Sequence, residues 1–190
     1  MPDPIEIFKE LFERARQSCV EPDAMVLATV DSDGQPSARY VLLKAFDARG
    51  FVFYTNLESR KAQALAANPR ASLCFYWPQI EKQVRIEGRV ERVTDGEADA
   101  YFATRPREFQ LGAWASAQSA PLESRAWLEE RVDGARARFE TGSVPRPPFW
   151  SGFRVVPQSI EFWTRDPARL HVREQYRREG GHWIGTLLNP

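Results

Sequence analysis

Apolar residues at Ile5, Phe8, Leu11, Phe12 and Ala15 recur at helical spacing and predict one amphipathic helix at the start of the chain. The period then shortens. "AMVLATV" (24–30), "SARYVLLKAF" (37–46) and "FVFYT" (51–55) read as strands, joined by "DSDGQP" and "DARG", which carry Asp and Gly where tight turns need them. "ESRKAQALAANP" (58–69) predicts a short helix with Ser59 as N-cap and Asn-Pro as its stop. "ASLCFYW" (71–77) and "KQVRIEGRVERV" (82–93) return to strand, the second alternating cleanly. From Thr94 to Thr141 the pattern is helical, and "SVPRPPFWSG" (143–152) is a proline-rich connector between structured neighbours. "FRVVP", "SIEFWTR", "RLHVREQYRRE" and "HWIGTLL" give late strands, with "EGGH" as a hairpin turn.

Strands on short turns, a helical excursion over about 94–141 and then more strands predict an α+β protein on an antiparallel sheet, residues 1–190 forming a single domain. With about seven short strands, closure into a small barrel removes exposed edges. No strand leads into GxGxxG or GxxxxGK[ST], so a Rossmann or P-loop nucleotide site is unsupported. A phosphorylated ligand would have to be held by side chains and helix ends.

Composition narrows the partners. Lys+Arg and Asp+Glu both number 26, which argues against a nucleic-acid or membrane-surface binder and makes local charge clusters more informative than the total. The charged, amphipathic start shows neither a signal peptide nor a membrane span, so a cytoplasmic protein is expected. Cys19 and Cys74 lie far apart, outside any CxxC, and read as reduced thiols. His171 and His182 are the chain's two histidines and no Cys/His cluster exists, so no metal site is expected.

Several cation-bearing stretches remain. In "RLHVREQY" (169–176), Arg169, His171 and Arg173 alternate with Leu170 and Val172. In a strand all three would share one face, either as a charged edge that discourages pairing or as the wall of a site. "ESRKA" sets Arg60 and Lys61 in the first turn of the helix capped by Ser59, where free N–H groups favour an anion. Arg39 and Lys44 stand five positions apart on one apolar strand and would face opposite sides. Tyr101 and Arg105, at i and i+4 of a helix, pair a hydroxyl with a guanidinium suited to phosphate or to simple surface packing. Gln118 and Ser119 follow Trp114 at a helix end.

Taken jointly, "RYVLLK", "FVFYTNLESRKAQAL", "QVRIEGRVERV", "YFATRPREFQLGAWASAQS", "VPRPPFWSGFRV" and "IEFW…RLHVR" resemble the pyridoxine/pyridoxamine 5′-phosphate oxidases, in order and spacing, from about Ala24 to the end. The resemblance implies a split β-barrel, homodimeric, with FMN at the subunit interface, oxidising a B6 phosphate at its 4′ carbon with O2 and releasing H2O2. It implies that FMN contacts Arg39, Tyr40, Val41, Leu42, Leu43 and Lys44, with Tyr54 and Thr55, and that Arg60 and Lys61 take its phosphate. Gln83, Trp163 and Arg173 would complete the cofactor set, and Gln118 and Ser119 would reach across the dimer. The substrate phosphate would meet Lys44, Tyr101 and Arg105, while Arg169 and His171, as the catalytic residues, would face the pyridine ring. Three features depart from the family pattern: Phe109 replaces a phosphate-binding serine, "RLHVR" replaces "RLHDR", and a longer N-terminal arm over the substrate is not evident. They leave room for a flavin oxidoreductase with another substrate, or for a flavin-binding protein without turnover.

Overall fold

The computed structural model describes residues 2–190. Helix α1 (Pro4–Ser18) starts where Asp3 caps it, its carboxylate accepting from the Ile5 N–H at 2.9 Å, with Pro4 in the first turn. The stripe expected of it is buried: Phe8 is fully enclosed, its ring edge-on to Phe46, Phe51 and Phe75 and tilted against Trp77. Edge-to-face contacts of this kind add to the area each ring removes from water. This aromatic cluster anchors the main core.

Nine antiparallel strands follow: β1 (Ala24–Val30), β2 (Pro36–Leu42), β3 (Ala45–Asp47), β4 (Gly50–Asn56), β5 (Arg70–Trp77), β6 (Lys82–Arg92), β7 (Trp150–Thr164), β8 (Val172–Glu179) and β9 (His182–Leu188). Seven form the path β2-β1-β5-β6-β7-β4-β3, and β8 and β9 branch from β7. Strands at opposite ends of that path, β2 and β3, are separated by just Leu43 and Lys44. The stretch 37–46 is therefore two strands and not the single one its apolar run suggests. At Leu43 the backbone N–H still bonds Asp23 beside β1; at Lys44 it bonds Val52 of β4. The chain changes sheet edges within two residues, which curls the sheet towards a barrel.

The late strands differ from expectation in two places. "FRVVP" and "SIEFWTR" belong to one 15-residue strand, β7, because a bulge absorbs the proline between them. Gly88 pairs with Pro157 and Glu87 with Ser159, so Gln158 is the extra residue on β7. A Cβ on Gly88 would lie 2.0 Å from the Val156 carbonyl oxygen, so glycine is required at this approach. Strand β8 begins only at Val172, so Arg169, Leu170 and His171 sit in a turn. The hairpin between β8 and β9 turns on Gly180 and Gly181, both at positive φ, as its right-handed twist requires.

Helix α2 (Arg60–Ala67) follows β4. The helical excursion resolves into α3 (Asp95–Thr104), α4 (Arg107–Ala115) and α5 (Arg125–Arg138). A capping box between Thr94 and Glu97 starts α3, and the Gln110 amide donates to the Phe102 carbonyl at 2.8 Å, tying α4 to α3. These helices pack Phe102, Leu111, Ala135, Val144 and Trp150 into a second, smaller core beside the barrel. Among the described residues no helix is long and apolar enough to cross a membrane.

Candidate active site

Between β2, β4, α2 and the α3–α4 pair lies a cavity of about 620 Å³. It gathers many of the residues expected to bind ligand: Arg39, Tyr40, Val41, Leu42 and Lys44 from the first edge, Tyr54, Thr55 and Lys61 from β4 and α2, and Tyr101, Arg105, Phe109 and Gln118 from the helical side. Arg39 and Lys44 therefore serve one cavity, contrary to the opposite-face expectation, because the chain bends after Leu42. Leu43 is the exception in its run, with its side chain in the main core.

One end of the cavity is cationic. Lys61 is 9% exposed, and its ammonium donates to Thr55 Oγ1 (3.1 Å), Ser59 Oγ (3.3 Å) and Gln118 Oε1 (3.1 Å), all neutral acceptors. Burial, and then the charge of Arg39, lower its pKa to about 8. Arg39 in turn is lowered by burial and by the charge of Arg60, and its guanidinium bonds the Leu27 carbonyl, Thr29 and Ser37. No carboxylate is paired with Arg39, Arg60 or Lys61 among the described ion pairs, so Arg39 and Lys61 leave this corner uncompensated, with the exposed Arg60 adding its charge to Arg39. Ser59 occupies the N-cap of α2 but does not cap it; its hydroxyl donates to Asn56 O at 2.7 Å and accepts from Lys61. An anion there would meet the free N–H groups of α2 as well as the side chains.

A second cation stands against an aromatic wall. Tyr54 stacks on Tyr101 at 4.1 Å and on Trp150 at 5.3 Å, and the Arg105 guanidinium lies 4.9 Å from the Trp150 ring centroid. Burial lowers the pKa of Arg105, and its Nη1 is enclosed without a hydrogen-bond partner. An enclosed, unpartnered guanidinium N–H is costly, and the Arg105 side chain also lines the cavity. Gly152 makes room for the wall, since a Cβ there would come within 2.7 Å of the Tyr54 ring. Lys44 is less free, being paired with Asp23 at 3.0 Å. Phe109 is 61% exposed and lines the cavity at its open side.

Arg60 is exposed and is not among the residues lining this cavity. Five of the other expected residues, Gln83, Trp163, Arg169, His171 and Arg173, form a separate group, and none of them lines it either. Gln83, Trp163 and Arg173 are direct neighbours on β6, β7 and β8. Trp163 packs on the His171 ring at 4.5 Å, and Arg169 sits in the adjoining turn with φ +65°. The alternating face expected for Arg169, His171 and Arg173 is therefore not a strand face; the turn brings His171 onto Trp163 instead. Sequence reasoning missed the counter-ion of this group. Glu161, 4% exposed, accepts from Arg173 Nε at 2.8 Å and also bonds Arg85. Burial alone would raise its pKa, but the Arg173 and Arg85 bonds prevail and lower it. A single acid inside the apolar run "SIEFW" was the available signal. Ser119 lies outside the cavity lining in a left-handed conformation, φ 75°, while Gln118 already reaches Thr55 and Lys61 of its own chain.

Comparison with known proteins places the chain in a family. Residues 11–139 match the family model for pyridoxamine 5′-phosphate oxidase, and residues 150–190 match that for the pyridoxine 5′-phosphate oxidase C-terminal dimerisation region. The chain belongs to the pyridoxamine 5′-phosphate oxidase family. It is 61% identical over 190 residues to a pyridoxine/pyridoxamine 5′-phosphate oxidase of Myxococcus xanthus strain DK1622, covering all of this chain and 92% of that one. A second oxidase of that name, from Rubrobacter xylanophilus, is 57% identical, covering 100% and 88%. Among solved structures, PhzG of Burkholderia lata 383, in complex with tetrahydrophenazine-1-carboxylic acid, superposes with TM-score 0.93 at 33% identity, covering 99% and 93%. An FMN-binding, pyridoxamine 5′-phosphate oxidase-related protein of Nostoc punctiforme shares the fold at TM-score 0.80 and 19% identity, covering 100% and 98%.

The donor set fits the FMN that the resemblance implies. Arg39 and Lys61, with no carboxylate partner, suit a phosphate dianion, the charge of Arg60 acts on Arg39 from outside the lining, and Tyr40, Val41 and Leu42 extend along the cavity wall.

Proposed function

We propose that this family member is an FMN-dependent oxidase that converts pyridoxine 5′-phosphate or pyridoxamine 5′-phosphate to pyridoxal 5′-phosphate. The observation that carries the reading is that one cavity is lined by two separate cations without carboxylate partners, Lys61 beside Arg39 and Arg105 beside the aromatic wall. Arg39, Arg60, Lys61, Thr55 and Gln118 would hold the phosphate of FMN; Arg105 and Tyr101, assisted by Lys44, would hold that of the substrate. The flat wall of Tyr54, Tyr101 and Trp150 would exclude water beside the second phosphate.

Held there, FMN would supply the two-electron acceptor, with O2 as the terminal oxidant. The balance is that the C4′ alcohol or amine loses two electrons and two protons, and O2 takes both to become H2O2. In the amine case one water then enters at C4′ and ammonia leaves. This chain's residues bind and orient. In this reading Arg169 and His171 face the substrate ring, and Gln83, Trp163 and Arg173 meet the flavin.

Because that second group lies outside the cavity of its own chain, the reading needs two copies. In a homodimer with FMN at the interface, the Trp163 group of one subunit would complete the cavity of the other. The match of residues 150–190 to a dimerisation region supports this, since β7, the turn after it and β8 carry Trp163, Arg169, His171 and Arg173, all of the group but Gln83. Gln118, already bound to Lys61 in its own chain, would serve the phosphate corner without crossing over.

Phe109 favours one second reading, a flavin oxidoreductase for a differently shaped acidic substrate. Steady-state assay of the purified protein with both B6 phosphates separates them, read as H2O2 release and pyridoxal 5′-phosphate formation. Turnover of either substrate is expected. A flavin-containing dimer inert towards both would pass the site to another substrate, or to a flavin-binding role without turnover.

A further inference from the structure

We propose that Asp166 is a positioning residue that locks His171 into its Nε2–H tautomer, so that this imidazole meets the substrate as a hydrogen-bond donor and not as a base. The proposal rests on the reading above that His171 faces substrate.

Asp166 organises the turn between β7 and β8 with both its backbone and its carboxylate. Oδ1 accepts from the N–H of Ala168 at 2.8 Å and of Leu170 at 3.3 Å. Its carbonyl accepts from the Arg169 N–H at 3.1 Å. Its own N–H donates to His171 Nδ1 at 3.0 Å. Pro167 contributes no N–H to compete for these acceptors and biases Asp166 towards extended backbone. The turn thus holds Arg169 in the left-handed region, which a residue with a Cβ adopts at some cost.

A backbone N–H can only donate, so Nδ1 must present its lone pair to Asp166. In the neutral ring the proton therefore sits on Nε2. For Nε2 to accept a proton from substrate as a neutral base, the existing proton would have to move to Nδ1, against the Asp166 N–H. Trp163 packs on the ring at 4.5 Å and opposes its rotation out of this contact. What His171 offers is one donor of fixed direction, suited to an oxygen acceptor on the substrate such as a ring hydroxylate. Asp166 acts through His171 and need not touch substrate.

The test is the long-range ¹H–¹⁵N spectrum of the ¹⁵N-labelled, FMN-containing enzyme, at a pH where the spectrum shows both imidazoles neutral. The chain has two histidines, and His182→Gln leaves one imidazole to read. The expected spectrum has an unprotonated, hydrogen-bonded Nδ1 and a protonated Nε2. Asp166→Ala should mix the two tautomers and lower kcat on the order of threefold to tenfold, the size of one net hydrogen bond, with bound flavin absorbance unchanged. Asp166→Asn keeps an Oδ1 acceptor for both N–H groups and should restore both readings. An unprotonated Nε2 in the wild type, or an unmixed tautomer in Asp166→Ala, overturns the proposal. Absence of turnover on B6 phosphates would sink the oxidase reading instead, while the spectrum would still decide the tautomer.

Discussion

In the proposed FMN site, Lys61 would make the binding of the phosphate a proton-linked event. Enclosure among Thr55, Ser59 and Gln118, and then the nearby Arg39 charge, bring its pKa to about 8 in the ligand-free chain. The sign follows from linkage. Between about pH 8 and about pH 10.5 the unfolded chain holds a proton that the folded one has released, so ligand-free stability rises with pH through that window. A dianion beside Nζ reverses the preference and pulls the pKa back up. The FMN phosphate has its second pKa near ~6, so above pH ~7 it arrives as a dianion and takes up little itself. If the bound Lys61 titrates above about 10, binding takes up about 0.1 proton at pH 7, about 0.5 at pH 8 and about 0.9 at pH 9. Affinity then falls by up to about tenfold for each pH unit above 8.

Titration calorimetry of FMN into flavin-free protein, in phosphate-free buffers of different ionisation enthalpy, reads the uptake as a slope. Lys61→Arg should bind FMN without proton uptake, since its guanidinium is charged throughout. Lys61→Met should lose both the uptake and much of the affinity. A wild-type slope of zero at pH 8 and 9, or an unchanged slope in Lys61→Met, would refute the assignment of the phosphate to this corner.

Three further outcomes are expected. Glu161→Gln weakens two charge-assisted bonds to arginines that are part-exposed, so the loss should be about 2 kcal/mol in urea unfolding, below the full cost of breaking a buried pair; a change under about 0.5 kcal/mol would contradict the bridge. Glu97 is held at about 2 by the Thr94 backbone N–H and then by Arg154, so its contribution is complete above about pH 4.5 and is lost as pH falls towards 2. Glu97→Gln should therefore flatten the acid limb of a stability–pH curve, and an equally steep limb would count against it. Phe109→Ser, adding a hydroxyl to the cavity that Arg105 also lines, should lower KM for pyridoxine 5′-phosphate by about ten- to a hundredfold with kcat nearly constant, and an unchanged KM would show that residue 109 does not reach the phosphate.

Much of the fold was legible because hydrophobic period is a local property. The buried stripe of α1, the alternation of β1 and β6 and the glycine turn before β9 all follow from neighbouring residues. What was not legible depends on partners distant in sequence. The run 37–46 stays apolar across Leu43 and Lys44 while its backbone exchanges β1 for β4, and no local pattern reports that exchange. Pro157 reads as an ending, yet β7 continues because Gly88 on β6 accommodates a bulge opposite it. The alternation in "RLHVR" fits a strand equally well, and it is Asp166 that folds its first half into a turn.

The same division runs through the site. Charge at fixed positions was readable, which is why Arg39, Lys61, Tyr101 and Arg105 meet in one cavity as expected. Compensation was not, because a counter-ion is set by register. Lys44 finds Asp23 and Arg173 finds Glu161 only once the sheet is formed, whereas Arg105 finds no acceptor for its Nη1 and Lys61 finds only neutral ones. The cations left unpaired by folding are therefore better markers of ligand than the cations counted in sequence. By that criterion the proposed anion positions are the Lys61 corner and the Arg105 wall, and Arg173, braced by Glu161, offers a direction fixed in advance more than a free charge.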